Sequence, residues 1–207
     1  MSQAKAAFTH IYNNNLWMSS ESVSGTGSTL AETVKLRERL PQLLNELKVK
    51  VFLDAPCGDF NWMKHVSFPE NIEQYIGIDI VEDLILKNNN KYKSDKISFF
   101  NKDILIDEVP KADLIMSRDC LVHLPFAQIF TALKNFKSSG AKYLLATTFP
   151  GLSENVNTNN IGDWRALNLQ LPPFNFPNPI TLIHEELQTS YPIFQTKSLG
   201  LWKLNDL

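Results

Sequence analysis

The sequence predicts an α/β protein built on a doubly wound, mostly parallel sheet of seven strands, with an N-terminal helical extension. The first observation behind this prediction is a series of short apolar runs that begins near Lys50 and continues towards the C-terminus. Such runs are typical of strands buried on both faces of a parallel sheet. The second observation is that helical patterns fall between some of these runs. Alternating strands and helices imply right-handed βαβ units and an open sheet.

The first element is a predicted short helix over residues 3–14. Its apolar face is expected to consist of Ala6, Ala7, Phe8 and Ile11. A loop of small residues follows at 19–28. This composition suits a lid that supplies backbone amides to a ligand, and it equally suits a flexible linker, so both alternatives stay open.

A second helical region follows, and Thr29 and Glu32 have the spacing of a capping box at its start. Apolar residues then recur at steps of three and four, which predicts a buried helical stripe. They are Leu30, Val34, Leu36, Leu40, Leu43, Leu44 and Leu47. Because a proline in a helix interior removes a hydrogen bond and kinks the helix, Pro41 predicts two shorter helices here.

The strands are predicted from the apolar runs at 51–53, 75–78, 97–100, 113–116 and 143–147. The clearest helix between them spans 126–136 and ends at Ser139-Gly140, which suits a C-cap. Prolines at 172–173 and 177–179 break the pattern. Two closing strands are then predicted at 180–186 and 197–204.

Length and composition fit one domain. The chain has 207 residues, of which 43% are hydrophobic and 11% are aromatic, as expected for a packed core. We therefore predict a single domain over 1–207, with a helical N-terminal cap at 1–48, a core at 49–148, and a loop with closing strands at 149–207.

Charge and cysteine content exclude several classes of function. The net charge is −2 without a basic cluster, so no nucleic-acid partner is expected. We expect neither membrane insertion nor a secretory signal, because apolar runs of the necessary length are lacking. The two cysteines, Cys57 and Cys120, give neither a disulfide framework nor a metal site. A cytoplasmic location is the simplest expectation, and the oligomeric state is left open.

Acidic residues follow three successive strands. Asp54 ends the first predicted strand and is followed by a tight turn at Gly58 that is expected to lead into a helix. Asp79 ends the second strand, and Asp103 follows the third. Ligands of doubly wound sheets bind outside the carboxyl ends of the strands, at the point where the strand order reverses. The three carboxylates are therefore expected to meet at one ligand site.

These residues resemble the class I S-adenosylmethionine-dependent methyltransferases, from about Lys50 to Thr148. The family's turn after the first strand reads acid-x-Gly-x-Gly-x-Gly, and this chain matches it at Asp54 and Gly58. Pro56 and Phe60 occupy positions where glycines are usual. The resemblance implies a Rossmann-like methyltransferase fold, S-adenosylmethionine as cofactor and S-adenosylhomocysteine as product.

The resemblance also implies roles for individual residues. Residues 54–59, with Asp54, Ala55, Gly58 and Asp59, would form the floor beneath the methionine part of the cofactor. Asp79 would hold the ribose, and Ile80 would pack on the adenine. Asp103 would accept a hydrogen bond from the adenine amino group, beside Ile104. The segment 112–124 resembles the part of the family that passes beneath the reacting methyl group.

A hydroxyl acceptor requires a base, and His123 and Asp119 are the candidates. If the chain has entered a helix by Asp119, their spacing places both on one face. His123 can instead be a capping or packing residue, and Asp119 can be an N-cap. Arg118 can pair with the methionine carboxylate or with a surface acid. Trp17 is expected to fold over the cofactor with the 19–28 loop.

The acceptor is expected to be a small molecule or a glycan. Trp164 and Arg165 are candidates for contacting it by stacking, and a buried Trp164 is the alternative. Two rival functions remain at this point: a nicotinamide-dependent oxidoreductase and a methyltransferase-like module that only binds a partner. The first would require Gly-x-Gly-x-x-Gly after the first strand, where this chain has Gly58 alone.

Overall fold

A computed structural model describes residues 2–187 and 189–207. Seven of their strands form one sheet in the order β3-β2-β1-β4-β5-β7-β6. The strands are β1 (Val51–Asp54), β2 (Gln74–Asp79), β3 (Ile97–Asn101), β4 (Leu114–Ser117), β5 (Tyr143–Thr148), β6 (Thr181–His184) and β7 (Ser198–Lys203). All seven predicted strands are confirmed, with boundaries that shift by one or two residues.

The sheet is mostly parallel, as predicted. Strands β1 to β5 pair in parallel, whereas β7 is antiparallel to both β5 and β6. The order runs from β1 through β2 to β3 on one side, and from β4 through β5 on the other. The strand order therefore reverses between β1 and β4, and this is the place where such sheets bind ligands.

Five helices accompany the sheet in the described part of the chain. They are α1 (Gln3–Asn13), α2 (Val34–Glu46), α3 (Glu82–Tyr92), α4 (Phe126–Ser138) and α5 (Pro192–Gln195). Alternate residues of each strand enter two separate apolar cores, as expected when both faces of a sheet are covered. In β1, Phe52 joins the core that contains the leucines of α2, and Leu53 joins the core that contains Phe136 of α4.

The prediction of two helices around Pro41 is wrong. One helix, α2, runs through the proline without interruption. Leu36 and Leu40 are buried before Pro41, and Leu43 and Leu44 are buried after it. This packing on both sides of the proline outweighs the hydrogen bond that its missing N–H cannot donate.

The capping-box prediction is also wrong. The amide of Glu32 does donate to the Thr29 hydroxyl, at 3.4 Å, but this contact lies in a turn before the helix. Helix α2 begins only at Val34, after Thr33, whose side chain makes no capping hydrogen bond. Val34 is exposed, so the buried stripe is shorter than predicted.

Helix α1 matches its prediction in extent but not fully in orientation. Ala6 is exposed, and the residue buried completely is Ala4. Phe8 and Tyr12 are partly buried on the same face and pack against the core. The face is therefore rotated by roughly 80° from the predicted one, at 3.6 residues per turn, because α1 lies over the carboxyl edge of the sheet instead of over one of its faces.

No helix follows the turn after β1, contrary to the prediction. The chain instead continues through turns to a single 3₁₀ turn at Met63–His65. Phe60 adopts a left-handed backbone conformation, with φ of 58°. Its ring packs into an aromatic cluster with Tyr75, Tyr92 and Phe99. Phe60 thus points into the core and leaves the ligand edge of the sheet free.

Candidate functional site

A cavity with about 1,040 Å³ of empty space opens at the carboxyl ends of β1, β2 and β4. This position is the switch point of the sheet, where folds of this kind bind their ligands. Ten of the fourteen predicted site residues line it, namely Trp17, Asp54, Gly58, Asp79, Ile80, Asp103, Ile104, Arg118, Asp119 and His123. The remaining four, Ala55, Asp59, Trp164 and Arg165, do not.

Asp54 is the last residue of β1 and lies at the floor of the cavity. Its side chain is buried, and its Oδ2 accepts a hydrogen bond from the Tyr75 hydroxyl at 2.8 Å. Its Oδ1 has no hydrogen-bond partner among the residues that the structure describes. Burial raises the pKa of Asp54 to about 8, against the opposing effect of the Tyr75 bond. A buried carboxylate with one unpartnered oxygen is suited to receive a cationic donor from a ligand.

Asp79 is held in place by the turn that follows β1. The Gly58 amide donates to Oδ2 at 3.1 Å, and the Val81 amide donates to Oδ1 at 3.0 Å. Burial raises the pKa of Asp79 to about 6, although these amides favour the carboxylate. Each oxygen keeps a further lone pair, so the anchored carboxylate can still accept hydrogen bonds from a ligand.

The backbone at Gly58 packs closely against the 19–28 loop. Its φ is 53°, and a Cβ at this position would collide with the Ser24 hydroxyl oxygen. The turn therefore has no room for a side chain at position 58. Ser24 also accepts a hydrogen bond from the Asp59 amide, at 2.9 Å.

Asp103 receives hydrogen bonds from two directions. The Leu105 amide donates to Oδ1 at 2.9 Å, which fixes the local turn. The Ser2 hydroxyl donates to Oδ2 at 2.7 Å and thereby ties the start of α1 to this edge of the cavity. Ile80 and Ile104 line the same edge. Asp103, Ile80 and Ile104 thus lie together at one edge of the cavity, with the N-terminal helix as an additional wall.

Asp59 and Ala55 are corrected from direct ligand contacts to residues that build the frame. The Asp59 carboxylate accepts from the Ser22 hydroxyl at 2.9 Å and from the Val23 amide at 3.0 Å. It therefore anchors the 19–28 loop to the turn after β1. Ala55 is completely buried, and its amide donates to Met116 in the neighbouring strand.

Three buried charges and the partly buried carboxylate of Asp119 form a closed network beside the cavity. Arg118 donates to Glu185 at 2.6 and 3.2 Å, and Lys197 donates to Asp119 at 2.6 Å. Lys197 also lies 3.3 Å from Glu185, and Arg118 lies 3.3 Å from Asp119. Arg118 in addition donates to the backbone oxygen of Gly27, which secures the loop over the cavity. The predicted surface acid for Arg118 is wrong, since Glu185 is fully buried.

Sequence reasoning missed Glu185 and Lys197. They flank β6 and β7, and the two are brought together only because those strands pair. A single charge next to a strand is usually solvated, so the sequence carries no local signal for this network.

Asp119 does not share a helical face with His123. Its φ of 49° is left-handed, and the 3₁₀ turn begins only at Leu121. Lys197 and Arg118 lower the pKa of Asp119, because both cations stabilise the carboxylate. The helical premise behind the pairing of Asp119 with His123 is therefore wrong, and Asp119 is an ion-paired carboxylate.

His123 lies at the end of the 3₁₀ turn Leu121–His123 and lines the cavity. Its Nδ1 is 3.1 Å from the carbonyl oxygen of Gly162. Because a carbonyl oxygen only accepts, Nδ1 carries the proton and Nε2 keeps the lone pair. Burial lowers the pKa of His123, so the ring is neutral near pH 7. A neutral imidazole with a fixed tautomer can accept a proton at Nε2.

Trp164 and Arg165 have positions different from those predicted. Arg165 donates to the backbone oxygens of Leu121 and Leu124, so it clamps the turn that carries His123. Trp164 is 44% exposed and stacks on Phe194 with 5.1 Å between ring centroids. It is therefore neither buried nor part of the cavity wall.

No protein-family model and no curated protein sequence matches this chain. Solved structures do match. Human N-acetylserotonin methyltransferase in complex with SAM has a TM-score of 0.66 at 12% identity, with 98% of this chain and 60% of that chain covered. The N-methyltransferase NodS from Bradyrhizobium japonicum, in complex with S-adenosyl-l-homocysteine, has a TM-score of 0.63 at 14% identity, over 95% and 98%.

A third match is the 1,6-didemethyltoxoflavin-N1-methyltransferase of Burkholderia thailandensis, with a TM-score of 0.65 at 12% identity over 96% of this chain and 86% of that chain. This chain spans less than two thirds of the human enzyme's length. At such identities the agreement concerns the arrangement of strands and helices. The chain therefore has the Rossmann-like fold of the class I S-adenosylmethionine-dependent methyltransferases.

Proposed function

We propose that this protein is an S-adenosylmethionine-dependent methyltransferase that acts on a small-molecule or glycan acceptor, at a hydroxyl oxygen. The observation that carries the proposal is the meeting of Asp54, Asp79 and Asp103 in one cavity at the switch point. These acids belong to three different βα units, and folding brings them to one edge of the sheet. Solved structures with this fold that contain SAM or SAH support the choice of cofactor.

The residues fit the chemical groups of this cofactor. The unpartnered Oδ1 of Asp54 suits an ammonium donor, which the methionine part supplies. Asp79, anchored by two backbone amides, has lone pairs left for the ribose hydroxyls. Asp103 would accept from the adenine amino group, with Ile80 and Ile104 packing on the ring.

Two further parts would complete the cofactor site. Arg118 lines the cavity near Asp54, although its guanidinium is already shared between Glu185 and Asp119. We therefore assign it to holding the 19–28 loop closed instead of to a free carboxylate-binding role. Trp17 would cover the methionine end together with this loop, because it lines the cavity and packs against Gly25.

When bound, the cofactor supplies an activated methyl group on a sulfonium. The protein's own residues then have to align the acceptor and take up its proton. His123 is the proposed base, since its Nε2 has the free lone pair. Asp119 would support the imidazolium that forms, as a nearby carboxylate whose charge is maintained by Lys197.

The same assignment divides the chain into functional parts. Residues 1–48 would cover the cavity, 49–148 would bind the cofactor, and 149–207 would close the sheet and support the acceptor side. No helix in the described residues has the length and apolarity required to span a membrane. The small-molecule part of the proposed acceptor class is supported by the names of two methyltransferases that share the fold, which refer to N-acetylserotonin and 1,6-didemethyltoxoflavin.

Calorimetric titration with S-adenosylhomocysteine tests the proposal. We expect micromolar affinity, about 7 to 8 kcal/mol. Asp79→Ala should weaken binding by roughly ten- to hundredfold, because charge-assisted hydrogen bonds are lost. Asp83→Ala is the matched control: Asp83 is an exposed acid in the first turn of α3, outside the cavity. Binding of NADH in place of S-adenosylhomocysteine would favour the oxidoreductase instead.

A further inference from the structure

Three aromatic rings form a continuous wall at one end of the cavity. Trp17 and His123 have ring centroids 5.3 Å apart, and Phe8 lies 6.4 Å from each of them. All three line the cavity. The wall is built from α1, the segment after it and the turn after β4, so folding brings the rings together from distant parts of the sequence. We refer to Phe8, Trp17 and His123 as the aromatic wall.

The aromatic wall begins at the middle of α1, past the start of the helix that contacts Asp103, the acid assigned to adenine. Ser2, at the start of α1, bonds to Asp103, whereas Phe8 and Trp17 reach His123. Helix α1 therefore spans the cavity from the proposed adenine end to the proposed base. The space beside the wall is left for the acceptor once the three carboxylates hold the cofactor.

The charges near the wall disfavour an acidic acceptor. Arg118 and Lys197 have carboxylate partners in Glu185 and Asp119, at 2.6 Å each. Arg165 is bonded to backbone oxygens. These cations are engaged within the protein, so binding a carboxylate or phosphate there would require breaking a buried ion pair.

We propose that the acceptor is a planar aromatic ring that carries a hydroxyl group, and that it packs against the aromatic wall with its hydroxyl at Nε2 of His123. This inference rests on the proposed methyltransferase function. Offset or edge contacts between aromatic rings favour a planar ring over a saturated ring of equal size. An aromatic hydroxyl also suits the base, because it releases its proton near pKa 10 whereas an aliphatic hydroxyl is a far weaker acid.

The transfer step balances with these groups. The hydroxyl oxygen of the acceptor forms the new bond to the methyl carbon as the bond from that carbon to sulfur breaks. The electron pair of the broken bond stays on sulfur and neutralises the sulfonium. The hydroxyl proton passes to Nε2 of His123. The products are the aryl methyl ether, S-adenosylhomocysteine and a proton that His123 returns to solvent.

A matched pair of probes tests the proposal: 2-naphthol and its saturated counterpart decahydro-2-naphthol. Binding is followed by tryptophan fluorescence, with and without S-adenosylhomocysteine, and methyl transfer is followed by mass spectrometry with labelled S-adenosylmethionine. Because each ring contact contributes a factor of about 2 to 12 in affinity, 2-naphthol should bind at least about tenfold more tightly than decahydro-2-naphthol. It should also be methylated, unlike decahydro-2-naphthol and methyl glucoside.

Variants of the aromatic wall test whether 2-naphthol binds there. Trp17→Leu should remove most of the preference for 2-naphthol, and Trp17→Phe should keep most of it. Tyr191→Leu is the matched control, because Tyr191 is an exposed aromatic residue outside the cavity. Equal affinity for the two probes, or methylation of the glucoside but not of 2-naphthol, overturns the inference. Preferential binding of 2-naphthol without binding of S-adenosylhomocysteine supports the aromatic site and refutes the proposed function instead.

Discussion

Asp54 makes the binding of the cofactor depend on protons. Its pKa is about 8 in the folded protein, because burial disfavours the carboxylate. At pH 7 about nine-tenths of the Asp54 side chains are therefore neutral. If the ammonium of the cofactor pairs with Oδ1, it stabilises the charged form and lowers the pKa. Binding at pH 7 should then release about 0.9 proton from Asp54 for each cofactor bound.

The pH dependence of affinity follows with a definite sign. Only the ionised form of Asp54 pairs with the ammonium, so affinity should fall by about tenfold between pH 7 and pH 6. Asp79, with a pKa of about 6, contributes little at pH 7 and adds to the fall at lower pH. The affinity should level off only above about pH 9, where Asp54 is already ionised before the cofactor binds.

Calorimetry of S-adenosylhomocysteine binding in buffers of different ionisation enthalpy counts the released protons directly. The Asp54→Asn variant should release no proton from position 54. Any proton release that remains in the variant comes from the ligand or from other groups of the protein. At pH 8.5 the variant should bind more weakly by about 1.5 to 3 kcal/mol, for loss of a hydrogen bond to a charged group. Equal proton release in the wild type and the variant would refute the pairing of Asp54 with the ammonium.

Four further changes test other parts of the account. His123→Gln should leave cofactor affinity intact and reduce kcat by roughly 10²- to 10⁴-fold, with exposed His65→Gln as control; unchanged turnover would exclude His123 as base. Glu185→Gln should destabilise the fold by about 3 to 5 kcal/mol in urea denaturation, because Arg118 and Lys197 lose a buried partner. Pro41→Ala should raise the free energy of unfolding by up to about 3 kcal/mol, since it restores a helical hydrogen bond, and a decrease would contradict that reading. Finally, the free energy of unfolding should fall as the pH rises from about 4 to about 8, because Asp54 loses its proton at a lower pH in the unfolded chain than in the folded protein. The Asp54→Asn variant should lack this part of the pH dependence.

Local patterns in the sequence predict the strands and the acids at their ends. The run before Asp54 and the run before Asp79 are apolar, and a parallel sheet must place their carboxyl ends at one edge. The spacing of its apolar residues predicts helix α4 equally clearly. Gly140 follows the end of this helix and adopts a φ of 77°, as expected of a C-cap glycine. The cavity position followed from these elements alone.

Features that depend on contacts between distant segments could not be predicted. Pro41 is tolerated because leucines on both sides of it are buried. The spacing of apolar residues in the sequence does not show how much stability this burial contributes. Arg165 was read as a substrate contact because its partners, the backbone oxygens of Leu121 and Leu124, are invisible in sequence. Glu185 meets Arg118 only through the strand order of the sheet.

The central claim is that three carboxylates hold one adenosyl group at the switch point of the sheet. A crystal structure of the protein soaked or grown with S-adenosylhomocysteine tests it most directly. We expect the ribose hydroxyls at Asp79, the adenine amino group at Asp103 and the ammonium at Asp54. Electron density for the ligand anywhere other than between these three residues, at saturating concentration, would contradict the account.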